Sequence, residues 1–127
     1  MDTKKIVNSL TNEQLAKYIR GDGFWYLFSN PELGVKKVKM SDGPHGLRTE
    51  PDKKDKDKFV FATTYKAICF PSMSLAACSF NKDLIYRLGE TLAEEAKHLG
   101  VHIILGPAVK KKRDPKCGRN FEYISED

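Results

Sequence analysis

The sequence predicts an α/β fold, and three observations carry that expectation. A run of valine and methionine alternating with lysine, VKKVKMSD at residues 35–42, reads as a short strand broken by Gly43-Pro44. A long amphipathic helix follows at residues 81–100, and the apolar stretch VHIILGPAV at residues 101–109 comes directly after it as a buried strand. Strand, helix, strand is the rhythm of a βαβ unit, whose parallel strands need a helical crossover.

Each element has a local reason. The first helix opens at LTNEQLAKYIRG, where Thr11 and Gln14 have the spacing of a capping box, Leu10 can staple onto Leu15, and Gly21 stops the run. GFWYLF, residues 23–28, is too aromatic for a casual loop and too short for a helix, so it is expected to cover an apolar surface. EPDKKDKDK, residues 50–58, mixes both charge signs and reads as a solvated loop. CFPSMSLAAC, residues 69–78, is a compact run of small and apolar residues, suited to a strand covered on both faces.

In the long helix, Asn81 can cap the N-terminus, Asp83 favours its positive end, and Gly100 is the stop. Leu84, Ile85, Leu88, Leu92, Ala96 and Leu99 recur at helical spacing and make one apolar face. Three strands with one crossover leave edges that a complete domain would pair or cover. The chain is therefore expected to be the beginning of something larger.

At 127 residues with 40% hydrophobic side chains, the chain has the length and the apolar content for one globular unit or part of one. Its net charge of +5 comes from cations and anions interleaved through most of the sequence, which points away from a nucleic-acid stripe. The N-terminus carries no apolar run of signal-peptide length, and nowhere do 18 consecutive apolar residues occur. A cytoplasmic chain with no membrane partner is the expectation. Cys69, Cys78 and Cys117 are odd in number and widely spaced, with no C-x-x-C pair for zinc, so they read as small semi-buried hydrophobes.

Two stretches remain: SDGPHGLR at residues 41–48, which holds a carboxylate, an imidazole and a guanidinium within turn chemistry, and LGPAVKKKRDPKCGRNFEYISED at residues 105–127. With LTNEQLAKYIRGDGFW and CFPSMSLAACSFNKDL they resemble, in order and spacing, the start of the catalytic barrel of glycoside hydrolase family 3, which includes many β-glucosidases. The match runs from about residue 10 to residue 127, and CGRNFEYISED is its most specific part.

The resemblance implies the N-terminal portion of a (β/α)8 barrel, incomplete in this chain, with strand-end loops that bind a terminal sugar. It implies that Asp42 accepts hydrogen bonds from sugar hydroxyls and that Arg119 donates to the same sugar from a rigid fork. His45 and Arg48 read as loop-holding residues at the pocket, Lys112 and Arg113 as pocket or loop support, and Glu122, Glu126 and Asp127 as groups that orient Arg119 or cap the next helix. Many family members have an asparagine where this chain has lysine, in the basic run Lys110-Lys111-Lys112-Arg113, so the shape of that loop departs from the pattern. Read by itself, that run is a solvated face.

Retaining glycosidases need a nucleophile and an acid/base roughly 5 Å apart. In the family both come from later in the chain, as does a further sugar-binding Lys-His pair, so no catalytic residue, metal ligand or cofactor is expected within residues 1–127. The implied function is retaining hydrolysis of terminal β-glycosidic bonds by a longer enzyme. Its partners are a β-glucoside or related oligosaccharide and either the remainder of the barrel or a second copy. The alternative is a catalytically inactive stand-alone carbohydrate-binding or interaction module.

Overall fold

The computed structural model describes residues 2–51 and 64–125. The chain forms two compact units, Met1–Met40 and Ser41–Asp127.

The first unit opens with α1 (Thr3–Ser9), which the sequence reading passed over; Asp2 caps it by accepting from the backbone N–H groups of Lys4 and Lys5. α2 (Asn12–Arg20) has the complete capping box. Gln14 N–H donates to Thr11 Oγ1 and Thr11 N–H to Gln14 Oε1, so two otherwise orphaned donors are met reciprocally. Gly21 ends it at φ +79, its N–H on Lys17 O.

The aromatic run contributes the two-residue strand β1 (Tyr26–Leu27), antiparallel to β2 (Val38–Asp42) with Tyr26 opposite Lys39 and Leu27 opposite Val38. The Lys37 ammonium sits 3.8 Å above the Tyr26 ring, and Tyr18 meets Phe28 edge to face at 4.9 Å. Phe24 is exposed, so the run covers an apolar surface only in part. In β2 the more buried face carries Lys39 and Ser41, while Val38 and Met40 on the other face are half-buried.

The second unit begins with the last two residues of β2, and β3 (Ile103–Leu105) is hydrogen-bonded to that strand. Between them lie two helices, so the order β2, α3, α4, β3 is the α/β arrangement. The expected strand at residues 69–78 is corrected: its centre is α3 (Met73–Ala77). Ser72 caps that helix with a hydrogen bond from Leu75 N–H at 3.3 Å; the run holds no β-branched residue, and its two alanines are strong helix formers.

α4 (Lys82–His98) starts as expected, with Asp83 and Leu84 N–H groups on Asn81 Oδ1. It closes in a Schellman arrangement, Val101 N–H on Ala96 O at 2.8 Å and Gly100 N–H on Lys97 O at 3.2 Å, with Gly100 at φ +68. Its apolar face is buried only toward the C-terminus. Leu92 and Ala96 join Leu47 and Val101 in the core, flanked by Phe70, Leu99 and Ile104, whereas Leu84, Ile85 and Tyr86 are exposed.

The strand expected at residues 101–109 is shorter than its apolar run and is not buried, because only Ile104 turns onto the core, leaving Ile103 40% and Leu105 48% exposed. Gly106-Pro107 ends it, since proline has no N–H for the ladder. The loop expected at residues 50–58 lies largely outside the described residues.

Candidate functional site

The second unit gathers the candidate side chains from three loops. The first leaves β2 at Asp42. Asp42 Oδ1 accepts from Gly43 N–H at 3.0 Å, and Arg48 N–H closes the loop on Asp42 O at 3.0 Å. The loop is tight enough to require glycine twice: a Cβ at Gly43, φ +124, would stand 1.9 Å from Gly46 O, and one at Gly46, φ +141, 2.6 Å from Ile68 O. Within it Gly43 and Pro44 are buried, and Asp42 is left exposed at the strand end.

The loop is held by backbone atoms of His45 and Arg48. Phe70 N–H donates to His45 O at 2.9 Å, whereas the buried ring Nδ1 of His45 has no hydrogen-bond partner among the described residues. His45 thus holds the loop through its main chain, while its ring packs edge to face on Phe121 at 5.8 Å.

The segment that supports this loop is pinned from behind by α4: Glu95 Oε1 accepts from Ile68 N–H at 2.7 Å. Glu95 Oε2 is buried without a partner among the described residues.

The second loop runs from β3 through the basic residues. Lys112 is half-buried and donates from Nζ to Ser74 Oγ at 3.3 Å, while Lys110, Lys111 and Arg113 are exposed. The run splits by side chain, with one lysine turned inward. The third loop is a set of turns from Asp114 to a 3-10 helix at Asn120–Glu122; Lys116 N–H binds Asp114 Oδ1 at 2.8 Å, and Asn120 Nδ2 binds Asp114 O at 2.9 Å.

Arg119 and Glu122 pair across that 3-10 turn, guanidinium Nε to Oε1. The Arg119 side chain is 72% exposed and that of Glu122 15%. The hydrogen bond from Arg119, reinforced by the positive charges of Arg119 and His45, holds the Glu122 carboxyl below the ordinary carboxylate range although burial opposes it. Arg119 is held more basic by the same pair, then by Tyr123 and the Asp42 carboxylate. Asp42, His45, Arg119 and Glu122 thus share one electrostatic neighbourhood. Glu126 and Asp127 lie outside the described residues.

Sequence reasoning missed Ser74, whose hydroxyl lies 3.1, 3.0 and 3.0 Å from the carbonyl oxygens of Asn120, Phe121 and Tyr123. The Pro71-Ser72 start signal, read as a helix cap, would have placed it in the first turn of a helix, but nothing local in the sequence points that helix at this turn.

Among the described residues, no three His, Cys, Asp or Glu side chains are grouped so as to hold a metal ion, and no helix is long and apolar enough to cross a membrane.

No protein-family model matches the chain. Individual proteins do. It is 42% identical over its full length to thermostable beta-glucosidase B of Acetivibrio thermocellus and 40% identical over 95% of its length to an exo-alpha-(1->6)-L-arabinopyranosidase of Bifidobacterium longum. Among solved structures it resembles the glucose complex of the Kluyveromyces marxianus beta-glucosidase over its whole length, with a TM-score of 0.85 at 28% identity. The GH3 beta-glucosidase of Bifidobacterium adolescentis matches 95% of the chain, with a TM-score of 0.75 at 37% identity.

The chain belongs to glycoside hydrolase family 3. It spans 17% and 16% of the two curated relatives, and 14% and 16% of the two solved chains. The α/β order of the second unit agrees with that membership.

Proposed function

We propose that the chain is the sugar-pocket segment of a (β/α)8 barrel in a longer, retaining β-glucosidase-like hydrolase, and that residues 1–127 form one portion of that barrel. The supporting observation is the similarity of the whole chain to GH3 beta-glucosidases, in which frame Asp42 at the end of β2 and Arg119 beside the Asn120–Glu122 turn are both exposed. An exposed carboxylate at the end of β2 contributes to the field at an exposed guanidinium carried by the Asn120–Glu122 turn. An acceptor and a planar multiple donor so placed suit the vicinal hydroxyls of a pyranose. The similarity to glucose-bound β-glucosidase structures points the same way.

In this reading Asp42 accepts from sugar hydroxyls, while Glu122 fixes the plane of the Arg119 fork through Nε and leaves the terminal nitrogens directed outward. His45, Arg48 and Lys112 hold the loops, and Arg113 stands at the rim. The nucleophile and acid/base lie outside residues 1–127. Two apolar grooves of about 400 and 430 Å³ flank α4, next to exposed Leu84 and Ile85, as expected of a segment that packs against more chain.

The test is a hybrid in which this chain replaces the matched stretch of thermostable β-glucosidase B. Hydrolysis of an aryl β-glucoside that is lost with Arg119→Ala or Asp42→Ala, at unchanged folding, supports the reading. Wild-type kinetics in both variants defeat it.

A further inference from the structure

Ser74 lies on α3, outside the resemblance's sugar-binding residues, yet it is where that helix meets the turn carrying Arg119. Carbonyl oxygens of Asn120, Phe121 and Tyr123 converge on its Oγ within 3.1 Å. Three carbonyl dipoles aimed at one point repel one another unless a donor stands among them. A hydroxyl has one proton to offer, and the Lys112 ammonium, 3.3 Å from the same Oγ, supplies the remaining positive charge. Both partners are half-buried, so water replaces them poorly.

The geometry points to Ser74, backed by Lys112, as the residue that positions Arg119. Asn120 and Phe121 follow Arg119 directly, and Phe121 also carries the ring against which His45 packs. Fixing those carbonyls fixes the direction in which the Arg119 fork leaves the turn. Ser74 acts through the turn, and its importance for sugar binding rests on the reading of Arg119 above.

Limited trypsin digestion of the hybrid enzyme that carries this segment reads this directly, with cleavage after Arg119 scored by mass spectrometry against cleavage after Arg20 in the other unit. Ser74→Ala is expected to speed the Arg119 cut by roughly tenfold relative to the Arg20 cut, the factor that goes with losing about 1.4 kcal/mol of local closure. Ser74→Thr, which keeps the hydroxyl, is expected to digest like wild type. Equal ratios in wild type and Ser74→Ala overturn the proposal, as does a Thr variant that opens as far as the Ala variant. Repeating the digestion in glucose separates the two claims. Protection of Arg119 in wild type and its loss in Ser74→Ala support both, whereas protection in neither counts against the sugar reading and leaves the positioning role to the first comparison.

Discussion

Arg119 donates through Nε to Glu122 Oε1 across one 3-10 turn, so the guanidinium plane is tied to a carboxylate of its own loop before any ligand arrives. A fork oriented in advance loses less rotamer freedom on binding.

That pairing has a pH consequence. The Glu122 carboxyl is held below its ordinary value, first by the hydrogen bond from Arg119. A depressed folded-state value means that the pairing contributes fully above the ordinary carboxylate value and is lost as pH falls through the folded one. A carboxyl carbon-13 titration is expected to show the Glu122 midpoint rising in Arg119→Ala. Identical midpoints in the two proteins would contradict the pairing.

In the active hybrid, Arg119→Ala or Asp42→Ala is expected to lower kcat as well as raise KM, because contacts to sugar hydroxyls strengthen as the ring distorts. A loss of about 30- to 1,000-fold in kcat/KM is expected. Arg119→Lys recovers little, since lysine keeps the charge and loses the fork, while Lys111→Ala on the exposed side of the basic run changes little. Full recovery by lysine would show that charge alone matters at 119.

The 127-residue chain by itself is expected to release no aryl product above background and to bind a hydrophobic dye or self-associate. Leu84 and Ile85 present apolar surface at the grooves, and Tyr86 and Phe80, the last 96% exposed, add more elsewhere. Turnover that survives repurification and disappears with one of the chain's own acids would reverse the assignment of the covalent chemistry to residues beyond 127.

Two glycines separate loop geometry from helix propensity. Gly43→Ala forces a Cβ against Gly46 O in a positive-φ conformation and is expected to cost several kcal/mol, on the order of 3 or more. Gly89→Ala meets nothing within 4 Å inside α4 and is expected to stabilise the chain by about 1 kcal/mol. Denaturant midpoints measure both, and a neutral Gly43→Ala would mean that the Asp42 loop is looser than described.

The caps of α2 and α4 and the short spacing of Arg119 and Glu122 were legible in the sequence, because each rests on residues within a few positions of one another; the α/β class came from the order of patterned segments, and the Asp-Gly-Pro loop and the Arg-Asn-Phe-Glu turn, distant in the chain, were linked by the family resemblance alone. Thr11 finds Gln14, Asn81 finds Leu84 and Arg119 finds Glu122 along the chain itself. The α3 segment was misread: apolar content resembles a covered strand when Ser72 is not weighed as a cap, and burial of Met73 and Ala76 is compatible with either. Contacts between distant segments were decided by tertiary structure. Ser74 reaches carbonyls 46 to 49 residues away, and Glu95 receives the N–H of Ile68, 27 residues earlier. No periodicity encodes such pairs, since they form only once α3, α4 and the loops are packed together. The same packing left Ile103 and Leu105 exposed, because burial depends on which neighbours cover a face.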